Sequence, residues 1–117
     1  MIKAFILATD GTHSQIALDV RSDTFPEDVR LSHIFPNGAV SYRLFNHPCT
    51  RARNVGDWRL FLSNDRAQSP RNLAVYTKFG REWFGNLILV KYSVTNPHNL
   101  ESVQEGDRPL AYSMLNA

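Results

Sequence analysis

The apolar positions of the chain fall into short runs whose spacing changes at clusters of Gly, Pro, Asn and Asp. Residues 2–8 are apolar except for Lys3 and lead into the turn-like Thr9-Asp10-Gly11-Thr12. Ile16, Leu18 and Val20 then alternate with Ala17 and Asp19, so this stretch predicts a two-stranded hairpin with a loop longer than two residues. Thr24 precedes Glu27 by three residues, the spacing at which a hydroxyl and a carboxylate satisfy each other's backbone amides at a helix start. Pro26 fits that first turn because its amides have no intrahelical acceptor to lose. Phe25, Val29, Leu31 and Ile34 make an irregular apolar stripe, and Pro36-Asn37-Gly38 ends the predicted helix.

Strand periodicity returns at Val40, Tyr42 and Leu44, which alternate with Ser41 and Arg43. Residues 46–56 have no apolar period and read as a loop. Trp58, Leu60 and Leu62 alternate with Arg59, Phe61 and Ser63 in a fourth predicted strand, closed by Asn64-Asp65. Ser69-Pro70 supplies a capping hydroxyl and a proline suited to the first helical position; Leu73, Tyr76 and Phe79 follow at spacings of three, and Gly80 stops the helix. Residues 87–92 are apolar apart from Lys91, which predicts the central strand. A short apolar tail over residues 110–115 reads as helix. The expected architecture is α+β: one globular domain over residues 1–117, with a mixed or antiparallel sheet of about five strands and one or two helices on one face.

The wording of two blocks resembles the ubiquitin-like branch of the beta-grasp fold. Met1-Ile2-Lys3-Ala4-Phe5-Ile6, Ile16-Ala17-Leu18-Asp19-Val20, Ser22-Asp23-Thr24 and Val29, with Leu31 or Ile34, follow the ubiquitin-like order of strand, strand and helix. Arg71, Leu73 and Tyr76, followed by residues 87–90, are similar to that family's short helical turn and final strand. The resemblance covers about 60 of the 117 residues and accepts an extra segment near 46–68. It implies a fold used for protein contacts. The chain departs from a conjugated modifier in ending Met114-Leu115-Asn116-Ala117, with no terminal Gly-Gly.

Length and composition narrow the class. At 117 residues, with 43% hydrophobic and 21% charged positions, the chain is of one-domain size and can bury a core. The single cysteine, Cys49, cannot close an intrachain disulfide, which predicts a reducing, cytoplasmic setting. No stretch reaches the roughly 20 apolar residues that a membrane helix needs, so no membrane partner is expected.

The net charge of +2 conceals a basic middle: residues 43–91 carry nine basic and three acidic side chains, and seven of the nine are Arg. Arg is suited to bidentate pairing with carboxylates and phosphates. If alternate side chains face opposite ways, Tyr42, Leu44, Trp58, Leu60 and Leu62 form the core face, and Arg43, Phe45, Arg59 and Phe61 look outward. With Arg51 and Arg53 from the loop, they make the expected binding surface for a protein partner with an acidic surface. The same basic and aromatic mixture leaves open a nucleic-acid-binding role. A third reading is a small cofactor-independent enzyme in which Cys49, activated by His47 or by the nearby Arg51 and Arg53, is the nucleophile. Glycine-rich phosphate loops and the Gly-x-Ser-x-Gly elbow are absent, so no cofactor is expected. One His beside one Cys is too few ligands for a metal site. The leading expectation is a non-catalytic protein-interaction module.

Overall fold

The computed structural model describes residues 1–21, 23, 31, 33–35, 38–44, 57–64, 69–80, 82–93 and 99–116. Six strands are named: β1 (Ile2–Leu7), β2 (His13–Leu18), β3 (Ala39–Leu44), β4 (Trp58–Ser63), β5 (Leu87–Tyr92) and β6 (Leu100–Glu101). Two helices join them, α1 (Leu73–Phe79) and α2 (Arg108–Asn116), the second entered through a 3-10 turn at Glu105–Asp107. The strand order is β2-β1-β5-β4-β3, with β6 also paired to β5, and every pairing is antiparallel. This is the expected α+β class, with an antiparallel sheet.

The topology is two hairpins joined by a later strand. β1 and β2 pair over six positions, as do β3 and β4, and β5 enters between β1 and β4. The apolar run at residues 87–90 follows from that central place. Leu87, Ile88, Leu89 and Val90 are all fully buried because both faces of the sheet are covered. On one face, Phe5, Leu7, Trp58, Leu60, Leu87 and Leu89 pack against Ala74 and Val75 of α1 and Ala111 and Leu115 of α2. On the other, Ile2, Ala4, Leu18, Phe61, Ile88 and Val90 pack with Leu31 and Phe35. Leu31 accepts backbone bonds from Ile34 and Phe35 at 2.9 and 2.8 Å, a single turn within the segment expected to be helical. Residues 24–30 of that expected helix lie outside the described residues, as does the expected loop over 46–56.

The start of α1 differs from the expectation. Ser69 and Pro70 precede the helix, and Asn72 is the cap, its Oδ1 accepting from the Val75 amide at 3.0 Å. Gly80 closes the helix in the left-handed conformation, its amide donating to the Tyr76 carbonyl at 2.9 Å. The apolar stripe differs too: Ala74 and Val75 turn inward, while Leu73 and Tyr76 turn outward. Of the expected stripe only Phe79 packs against the core, beside Ala74 and Val75, so the three-residue spacing does not mark the buried face.

Among the described residues, no helix is long and apolar enough to cross a membrane.

Candidate functional site

The expected Arg-bearing face is not an open one. Phe61, expected to look outward, is only 5% exposed and packs in the cluster that holds Ile88 and Val90. Strand alternation set its direction correctly, but the second face is itself covered, so pointing away from the helices does not mean reaching water. Arg59 is half-buried on the same face. Its Nε donates to the Tyr92 hydroxyl at 3.0 Å and its Nη1 to Ser41 Oγ at 2.8 Å, so it ties β4 to β5 and β3. The register sets Arg43 directly opposite Arg59. Phe45, Arg51, Arg53, His47 and Cys49 lie outside the described residues.

Three large apolar side chains that do reach water are gathered at α1. Leu73 is 47% exposed, Tyr76 46% and Phe84 37%; Met1 is the one other large apolar residue so exposed among the described residues. Leu73 and Tyr76 are one helical turn apart and therefore share a face. Phe84 is brought alongside by an isolated antiparallel bridge to Arg71. The bonds from the Gly85 amide to Pro70 O (2.8 Å) and from the Asn72 amide to Trp83 O (2.7 Å) flank the bridge. Such a pair lacks mutual hydrogen bonds and sets its side chains close together. The Arg71 guanidinium lies 5.1 Å from the Tyr76 ring centroid and pairs with Glu82 at 3.0 Å. Arg71 thus links Tyr76, on which it stacks, to Phe84, its bridge partner, and Leu73 lies on the Tyr76 face of the helix.

Asn72 holds this patch to the sheet. It is fully buried, and its Nδ2 donates to the carbonyls of Leu7 and Gly85, both at 2.8 Å, while its Oδ1 caps α1. One side chain therefore joins β1, the Phe84 segment and the helix. Chain spacing does not reveal this, because Leu7 is 65 residues away. The only sequence signal is an Asn just before an apolar run, which reads as a cap and no more.

A second polar cluster sits above the helix-covered face. The register aligns Trp58, Lys91 and Glu101 in one row across β4, β5 and β6. The Lys91 side chain is 14% exposed, with Nζ 3.2 Å from Asp107 Oδ2 and 3.8 Å from Glu101 Oε2. Trp58 stacks on Phe5 with centroids 6.0 Å apart, and Arg108 lies over Phe5 at 4.6 Å. Arg108 meets Glu105 through two bonds of 2.9 Å and donates to the Tyr112 hydroxyl at 2.7 Å. The cluster sets two cations, Lys91 and Arg108, among three carboxylates, Glu101, Glu105 and Asp107, and no group of His, Cys, Asp and Glu suited to a metal occurs among the described residues. It is a structural clasp between the sheet and the start of α2.

The Glu105 carboxyl reports that clasp. Hydrogen bonds from Arg108, then from Gln15, hold it down to about 2 from an ordinary 4.5. A depressed carboxyl pKa stabilises the fold above the unfolded value and loses that contribution as pH falls from 4.5 toward about 2. Carbon-13 titration of the side-chain carboxyl should place its midpoint near 2 in the native chain and return it toward 4.5 in Arg108→Gln. A native midpoint near the ordinary value would show that the pair does not form in solution.

Compared with protein-family models, curated proteins and solved structures, the chain finds no match.

Proposed function

We propose that this chain is a non-catalytic protein-interaction module that binds its partner through Arg71, Leu73, Tyr76 and Phe84. The observation that carries this reading is the pairing of two exposed aromatic side chains, Tyr76 and Phe84, with one arginine, beside exposed Leu73, on a segment tied to the sheet by Asn72. Arg and aromatic residues supply a disproportionate share of binding energy at interfaces. Water is displaced from the rings at little conformational cost, because Asn72 and the Arg71–Phe84 bridge already fix the backbone. The Arg71–Glu82 pair leaves little net charge at the centre, so the partner contributes apolar side chains to the middle.

The test is a partner capture with the full chain and with Tyr76→Ser/Phe84→Ser, whose side chains already face water and whose loss leaves the core intact. A partner bound by the native chain should be held at least about tenfold more weakly by the double variant, at unchanged thermal stability. Its affinity should change little with added salt, whereas binding led by phosphate contacts falls steeply. Equal binding by the two proteins would overturn this assignment of the surface.

A further inference from the structure

α1 has seven residues, too few for a helix that stands by itself, so its two ends must be held from outside. Asn72 holds the first end to the sheet. At the other end Phe79 meets the Tyr112 ring edge to face, with centroids 5.5 Å apart and planes at 89°. Lys78, in the same last turn, sets its ammonium 5.6 Å from the centre of that ring. Tyr112 belongs to α2, is partly buried, and is not one of the exposed residues of the docking surface. We propose that Tyr112 is a positioning residue for that surface: through Phe79 and Lys78 it fixes the far end of α1, and with it the placing of Tyr76 against Arg71. This role rests on the docking reading of the surface and draws in a helix that supplies no residue to it.

Tyr112 is itself fixed. Its hydroxyl accepts from Arg108 Nη1 at 2.7 Å, and the same guanidinium meets Glu105 through two bonds and lies 4.6 Å over Phe5 of β1. The ring therefore has a set direction against which α1 packs. An edge-to-face aromatic pair prefers one geometry, unlike an aliphatic contact of the same area, so it sets the angle of the helix as well as its distance. Tyr76 and Phe79 are three residues apart and so are neighbours on the helix surface. A roll of α1 that Phe79 resists is also one that carries Tyr76 off Arg71, whose guanidinium lies 5.1 Å from the Tyr76 ring centre. Arg71 precedes the helix and is held by its bridge to Phe84, so it does not follow such a roll. A surface ordered in advance avoids the conformational cost that one ordered during binding must meet.

The Arg71 side-chain protons, shifted upfield by the Tyr76 ring, report the placing of α1 by NMR on the full chain with no partner present. Tyr112→Leu should lose most of that shift, and Tyr112→Phe, which keeps the ring and gives up only the Arg108 bond, should retain it. Phe79→Leu should reproduce Tyr112→Leu, and the double variant should add little to either. Where Tyr112→Leu fails to fold, Phe79→Leu against Tyr112→Phe decides the question. A shift unchanged in folded Tyr112→Leu or Phe79→Leu shows that Ala74 and Val75 suffice to place the helix, and overturns the proposal whatever happens to the melting temperature. In the capture experiment Tyr112→Leu should hold the partner at least about threefold more weakly than Tyr112→Phe. Equal binding by these two, with Tyr76→Ser/Phe84→Ser weakened, overturns the positioning role and spares the surface. Equal binding by the native chain and Tyr76→Ser/Phe84→Ser overturns the surface itself.

Discussion

Replacing Asn72 with alanine should lower stability by about 3–4 kcal/mol, from the lost helix cap and the two buried carbonyls left short of a donor. For a chain of this size that shifts the thermal midpoint down by roughly 10–20 °C. The comparison that identifies the cause is with Asn72→Ser and Asn72→Asp. Both replacements can cap a helix, but neither offers an amide to Leu7 and Gly85, and the aspartate would set negative charge against their oxygens. Each should therefore keep most of the loss, with Asp at least as damaging as Ala. Native-like melting of either would reduce Asn72 to a cap and detach the candidate surface from the sheet.

Gly85→Ala should cost about 3 kcal/mol for two separable reasons. The residue sits at φ +79°, where an L side chain is strained by about 1–2 kcal/mol, and an added Cβ would lie 2.7 Å from Ser63 Cβ. Ser63 Cβ is bound directly to the β4 backbone, so the strand itself would have to yield. Gly80 is the internal control: its φ is +67° but nothing lies within 4 Å of an added Cβ, so Gly80→Ala should lose only the strain. Thermal melts of the two variants separate conformation from collision, and equal losses would show that β4 accommodates the methyl group. Because the Gly85 carbonyl also accepts from Asn72, the Gly85→Ala and Asn72→Ala losses should not add.

The strands were readable because their cues are local. Residues 40–44 and Trp58–Ser63 alternate, and the apolar run of β5, interrupted only by Lys91, predicted the central strand. The direction of Phe61 was readable as well, but its burial was not: that depends on Leu31 and Phe35 lying over the second face, which no alternation within β4 can encode. Leu73 and Tyr76 were misleading for the opposite reason, since helical spacing identifies a shared face without saying whether it meets the sheet or water. The candidate surface escaped the sequence altogether. It depends on a one-residue bridge between Arg71 and Phe84 and on a side chain reaching back to Leu7, both set by tertiary placement.

The insertion of β5 between two earlier hairpins orders the events of synthesis. A nascent chain that has emerged only as far as residue 86 can form β1 with β2 and β3 with β4, yet it lacks the strand through which those halves contact each other. Until residues 87–92 leave the ribosome, the inner margins of both hairpins remain uncapped and wet, a period in which a holding chaperone would find two apolar ribbons in place of one sheet.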